Sequence, residues 1–169
     1  MYRIGDYIIY GNSGVCQIKA IGSPNISLSV GSKQYYTLSA IYSTETIYTP
    51  VDTKIFMRPV ITREEATKLI EQIPDIEEEA YDQYNTKWLA NLYESFLQKN
   101  NCRVLIKLIK TIYIKNYDAI QNKKKISDTD QRYLKRAEDL LYSEFSVALE
   151  MNIEDVKQHV EAVVEEQIL

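Results

Sequence analysis

The chain has 169 residues, a formal net charge of −4, 45% hydrophobic and 26% charged residues. This fits one soluble globular domain or two small ones and excludes a disordered chain. No apolar run approaches the roughly 20 residues of a membrane-spanning helix, and Met1-Tyr2-Arg3-Ile4-Gly5-Asp6 lacks the apolar core of a secretory signal. The two cysteines, Cys16 and Cys102, lie far apart and outside metal-ligand spacing, so a cytosolic protein with ordinary thiols is expected.

The N-terminal third alternates β-prone runs with turn signals. Asp6 to Tyr10 reads as a strand, and Gly11-Asn12-Ser13-Gly14 as a turn able to supply positive φ twice. Val15 to Ile21 reads as the next strand, bounded by Gly22-Ser23-Pro24-Asn25, and a further break falls at Val30-Gly31-Ser32-Lys33. Gln34 to Ile41 and Glu45 to Thr49 follow as strands, Pro50 ends the pairing, and Ile55-Phe56-Met57-Arg58 closes the set. Such short strands predict a small barrel of the SH3 or Tudor type.

Helices begin at Thr62, where Thr62-Arg63-Glu64-Glu65 forms a capping box, and the first ends before Pro74. Asp75 to Gln83 reads as a short helix or an irregular acidic connection. Further helices are predicted from about Thr86 to Lys99, from Arg103 to Gln121, from Ser127 to about Glu150, and from the cap Asn152 onward, with Ile153, Val156, Val160 and Val163 at helical spacing. The fold class is therefore α+β, with a β-barrel domain over residues 1–61 and an all-helical domain over 62–169.

Charge is arranged in blocks. From Glu64 to Asp82 there are eight acids against Lys68, from Lys99 to Arg136 eleven Lys/Arg against three aspartates, and from Glu150 onward only Lys157 opposes the acids. A basic block in an acidic protein points toward a polyanion, although a solvated helix face is the commoner origin of any one stretch. At 100° per residue Arg103, Lys107 and Lys110 share an arc opposite Leu105, Leu108, Ile109 and Ile112, which predicts a cationic stripe able to follow phosphates. Lys123, Lys124 and Lys125 suit phosphate contact and the C-terminal helix dipole about equally.

No catalyst is expected. The single histidine, His159, has no nucleophile beside it, and no Walker loop, dinucleotide fingerprint, zinc spacing or nucleophile elbow is present. The single tryptophan, Trp88, projects roughly 100° from the stripe Leu89, Leu92, Tyr93 and Phe96 in the first turn of its helix. It either packs on a neighbouring element or offers an exposed aromatic to a partner.

Gly5-Asp6, Ile8-Ile9-Tyr10, Gly14, Tyr35-Tyr36-Thr37-Leu38, Pro50-Val51 and Met57-Arg58-Pro59-Val60 follow one another in an order that resembles the CarD/CdnL family of bacterial transcription regulators. Their opening domain is shared with the transcription-repair coupling factors. The resemblance implies a Tudor-like domain that binds the β subunit of RNA polymerase, through Ile47, Tyr48, Thr49 and Pro50. It also implies a helical domain on promoter DNA, with Trp88 wedged into the minor groove near the upstream edge of the melted bubble. Lys87, Arg103, Lys107, Lys110, Lys123, Lys124, Lys125 and Arg132 would then contact DNA. No cofactor, metal, membrane or small-molecule substrate is implied, and the protein would be cytoplasmic and nucleoid-associated through the polymerase. Where the family carries arginines and a lysine after its tryptophan, this chain has Leu89-Ala90-Asn91-Leu92-Tyr93. That departure favours the alternative of a polymerase-binding adaptor with little DNA contact, whereas the basic block favours DNA.

Overall fold

In the computed structural model, which describes residues 1–23, 33–79 and 85–168, the chain divides into two compact units, Met1–Val60 and Ile61–Leu169. The breaks expected at Pro24-Asn25 and Val30-Gly31-Ser32, and the last part of the acidic connection, lie outside the described residues.

The first unit is one antiparallel sheet of β1 (Tyr7–Tyr10), β2 (Val15–Gly22), β3 (Tyr35–Ala40), β4 (Thr46–Pro50) and β5 (Met57–Pro59), in the order β4-β3-β2-β1-β5. The tight reversal between β1 and β2 uses positive φ at Gly11 (45°) and Gly14 (69°). A Cβ at Gly11 would also stand 3.0 Å from the Ile55 side chain. Alternate residues fill one face, where Ile8, Cys16, Ile18, Tyr36 and Leu38 form the core. β4 and β5 are not paired with each other, so the expected barrel is an open, curled sheet. The curl brings the Tyr10 hydroxyl of β1 to Thr49 Oγ1 of β4, 3.0 Å away across the buried face.

The second unit holds α1 (Arg63–Gln72), α2 (Thr86–Gln98), α3 (Cys102–Gln121), α4 (Asp128–Leu149) and α5 (Ile153–Glu166). Each start is written in the sequence as a side chain that accepts orphan backbone N–H groups: Thr62 with Glu65 in a capping box, then Asn85, Asn101, Ser127 and Asn152. Pro74 follows α1 inside a 3₁₀ turn, Ile73–Asp75. α3 ends in a Schellman motif, with Lys123 at φ 55° and hydrogen bonds from Lys124 N to Ala119 O and from Lys123 N to Ile120 O. Leu105, Leu108, Ile109, Leu141 and Phe145 anchor a core that α5 joins through Val156, Val160 and Val164. Glu144, only 1% exposed, accepts Ile61 N at 3.0 Å and Cys102 Sγ at 3.2 Å, tying the start of this unit to α3 and α4. Among the described residues no helix is long and apolar enough to cross a membrane.

Tyr10→Phe leaves the buried Thr49 hydroxyl without this donor, and urea unfolding should show a loss of about 1–2 kcal/mol. An unchanged midpoint would mean that the bond does not hold the curl.

Candidate functional site

In the β unit, β4 lies at the edge of the sheet. The register pairs Tyr36 with Thr49, Thr37 with Tyr48 and Leu38 with Ile47. Val51 N donates to Gln34 O and Ala40 N to Glu45 O, so the residues of β4 that bond to β3 are the odd-numbered ones. The main-chain groups of Thr46 and Tyr48 therefore point away from the sheet, where a further strand could pair. Pro50 ends that edge: it has no N–H, and its carbonyl accepts from Thr53 N at 3.0 Å. Of the residues expected to meet a protein partner, Tyr48 is exposed at 45%, and Ile47 and Pro50 are half-buried. Thr49 is 2% exposed and bonded to Tyr10, so its side chain belongs to the core and not to an interface.

The helical unit divides the expected nucleic-acid contacts into two groups. α3 and α4 run antiparallel, since Cys102 meets Glu144 and Lys115 meets Asp130 at 2.9 Å. α2 finishes beside Cys102 and holds its Tyr93 hydroxyl 2.8 Å from Asp130, so it runs in the same direction as α4. Its first turn, with Lys87 and Trp88, thus lies at the end of the unit where α3 stops and α4 begins, the end that carries Lys123, Lys124 and Lys125. Asn85 Oδ1 accepts both Lys87 N (3.0 Å) and Trp88 N (3.2 Å), fixing the backbone from which the indole projects. Trp88 is 44% exposed, as its helical phase predicts. Lys87 and Lys123 to Lys125 are exposed and form no ion pair among the described residues. Tyr117 and Ile120 add exposed apolar surface to the last turns of α3, a contribution hidden in a sequence reading that followed only charge and the tryptophan.

The other group lies about 20–30 Å away along α3, by the helical rise. Lys110 is not on a solvated stripe: it is 2% exposed and donates to Ile73 O at 2.8 Å and Ile76 O at 2.6 Å, with Glu78 at 3.8 Å. Lys107 pairs with Glu79, and Arg103 donates to Gln72 Oε1 at 3.2 Å. The three residues do share one face, but the segment after α1 covers it at Lys107 and Lys110, where Glu79 and Glu78 answer the two cations, while Arg103 stays exposed beside the neutral Gln72 of α1. Further cations of the basic block are engaged on α4. Arg136 grips Glu94 through two bonds of 2.7 and 3.1 Å, which hold that carboxyl below its ordinary range. Arg132 is exposed and lies 5.2 Å from the Tyr133 ring centre.

Lys110→Met removes the donor to two buried carbonyls, and unfolding should lose about 2–4 kcal/mol; a near-neutral result would return Lys110 to the surface. Trp88→Ala should cost about 1 kcal/mol at most, against the roughly 3–5 expected for a fully buried aromatic.

No curated protein matches the chain. Residues 2–61 match the family model described as the CarD-like/TRCF RID domain. That stretch coincides with the curled sheet and its open β4 edge, and the N-terminal unit is a CarD-like RNA polymerase-interacting domain.

Proposed function

We propose that this chain is a non-enzymatic transcription regulator of the CarD type, acting in the cytoplasm at the nucleoid. Its β unit grips the β subunit of RNA polymerase by adding a strand to β4. Its helical unit lies on promoter DNA, with Trp88 against the minor groove at the upstream edge of the melted bubble. The match over residues 2–61 carries this reading, supported by an edge strand that offers two outward-facing residues and a proline stop. Strand addition draws affinity from main-chain bonds and specificity from alternate side chains, here Thr46 and Tyr48. A half-exposed indole on a capped first turn, at the same end of the helical unit as three exposed lysines, supports the DNA contact, because a wedge needs an apolar body and cations within reach of the phosphates. The protein favours the open complex only by as much as it prefers melted over closed DNA.

A second reading, an adaptor that binds polymerase with little DNA contact, is favoured by the burial of Lys110 and the pairing of Lys107 and Arg103. Salt dependence separates the two. Binding of the full chain to duplex DNA should weaken with salt, and replacing Lys123, Lys124 and Lys125 with Gln should flatten the logarithmic slope by about 0.9 for each phosphate no longer neutralised. Lys107→Gln should leave the slope unchanged. Salt-insensitive or undetectable DNA binding would favour the adaptor.

For the polymerase contact, Tyr48→Pro removes an outward N–H while keeping the β3–β4 ladder. It should abolish capture of RNA polymerase by the full chain without lowering thermal stability. Capture at wild-type level would exclude strand addition at β4.

A further inference from the structure

Neither interface uses Asp130, a buried acid at the end of the helical unit where α2 begins. It lies in the first turn of α4 and is 1% exposed. Its Oδ1 accepts the Tyr93 hydroxyl of α2 at 2.8 Å, and Lys115 Nζ of α3 straddles its two oxygens at 2.9 and 3.2 Å. One carboxyl thus joins α4 to both α2 and α3.

The bond to α2 does what apolar burial does poorly. The buried stripe of α2 is Leu89, Tyr93 and Leu97, and burial has no direction of its own, so it sets the roll of a helix less sharply than a hydrogen bond does. Two polar contacts supply direction. Glu94 takes Arg136 and the Tyr133 hydroxyl near the surface, where water and salt weaken an ion pair. Tyr93 is fully buried and meets a buried acceptor, where losing the bond is more costly. Trp88 stands five residues before Tyr93, about 7.5 Å along the helix axis and about 140° around it. A roll of α2 by about 20° would carry a side chain at the rim of the helix, about 5–6 Å from its axis, through about 2 Å. Binding groups need holding to about 0.5 Å.

We propose that Asp130 is a positioning residue: through the Tyr93 hydroxyl it fixes the roll of α2, and so the place from which Trp88 meets DNA. The effect on DNA binding rests on the reading of Trp88 as a minor-groove contact. The restraint on Trp88 is a property of the free protein and is measurable without DNA.

Trp88 is the only tryptophan, so its fluorescence reports the restraint in the full chain. Tyr93→Phe removes the hydroxyl and keeps the ring against Tyr133, 5.6 Å away between centres. Time-resolved anisotropy of the folded variant should show a larger share of fast depolarisation of Trp88. Asp130→Ala, which removes the acceptor instead, should show the same, and either variant serves if the other fails to fold. Lys115→Met cuts the bond from Asp130 to α3 and controls for general loosening; it should leave Trp88 as in the wild type. An unchanged decay in Tyr93→Phe, or an equal change in Lys115→Met, would overturn the proposal. Dissociation constants for a duplex carrying an unpaired bubble then complete a double-mutant cycle. Tyr93→Phe should weaken binding about tenfold in the wild-type background and less than about twofold in the Trp88→Ala background, because it acts only through the indole. Equal losses in both backgrounds would overturn the positioning role. Trp88→Ala binding as tightly as the wild type would refute the minor-groove reading, and the anisotropy alone would decide whether Asp130 restrains Trp88.

Discussion

The organisation of the helical unit depends on one buried ammonium. Lys110 Nζ occupies the carbonyls of Ile73 and Ile76, where the chain leaves α1. These carbonyls would otherwise be left unpaired at considerable cost. With Lys107 on Glu79 and Arg103 on Gln72, that contact lays the acidic connection along the N-terminal half of α3. The acidic and basic blocks of the sequence thus cancel within the fold over part of their length. Lys123, Lys124 and Lys125, exposed and without an ion pair among the described residues, lie at the opposite end of α3, the end at which α2 begins with Trp88.

The β unit works under a different constraint. A sheet of five strands, two of them only three or four residues long, must curl to enclose a core. The Tyr10–Thr49 bond joins β1 to β4 across that curl without a hydrogen-bonded seam. Leaving the seam open keeps β4 as an edge, ordinarily an aggregation hazard. The hazard is confined to Thr46 and Tyr48, because Pro50 stops the edge and the Pro50 carbonyl is engaged locally. A short, sharply ended edge suits one partner strand in one register.

Most of the fold was legible in the residues. Thr62, Asn85, Asn101, Ser127 and Asn152 mark the helix starts because a short polar side chain satisfies N–H groups there and in few other helical positions. Gly11 and Gly14 mark the first reversal because the chain requires positive φ at both. Helical phase also placed Trp88 outside its stripe. It failed at Lys110, since periodicity identifies a face but not what lies over it. Asp130 and Glu144, each 1% exposed, look in sequence like ordinary helix-surface acids; only long-range partners, Tyr93 and Lys115 for one and Ile61 and Cys102 for the other, reveal them. Thr49 likewise reads as an edge residue until Tyr10 crosses the sheet to meet it. The missing barrel closure is a further long-range property, because strand propensity does not say whether β4 reaches β5.

Amide exchange of the β4 edge in the full chain, with and without RNA polymerase, tests the central claim most directly. Strand addition predicts that the amides of Thr46 and Tyr48 gain protection on binding, while Ile47 and Thr49, already bonded to β3, change little. Polymerase binding that leaves Thr46 and Tyr48 exchanging as they do in the free protein would contradict it.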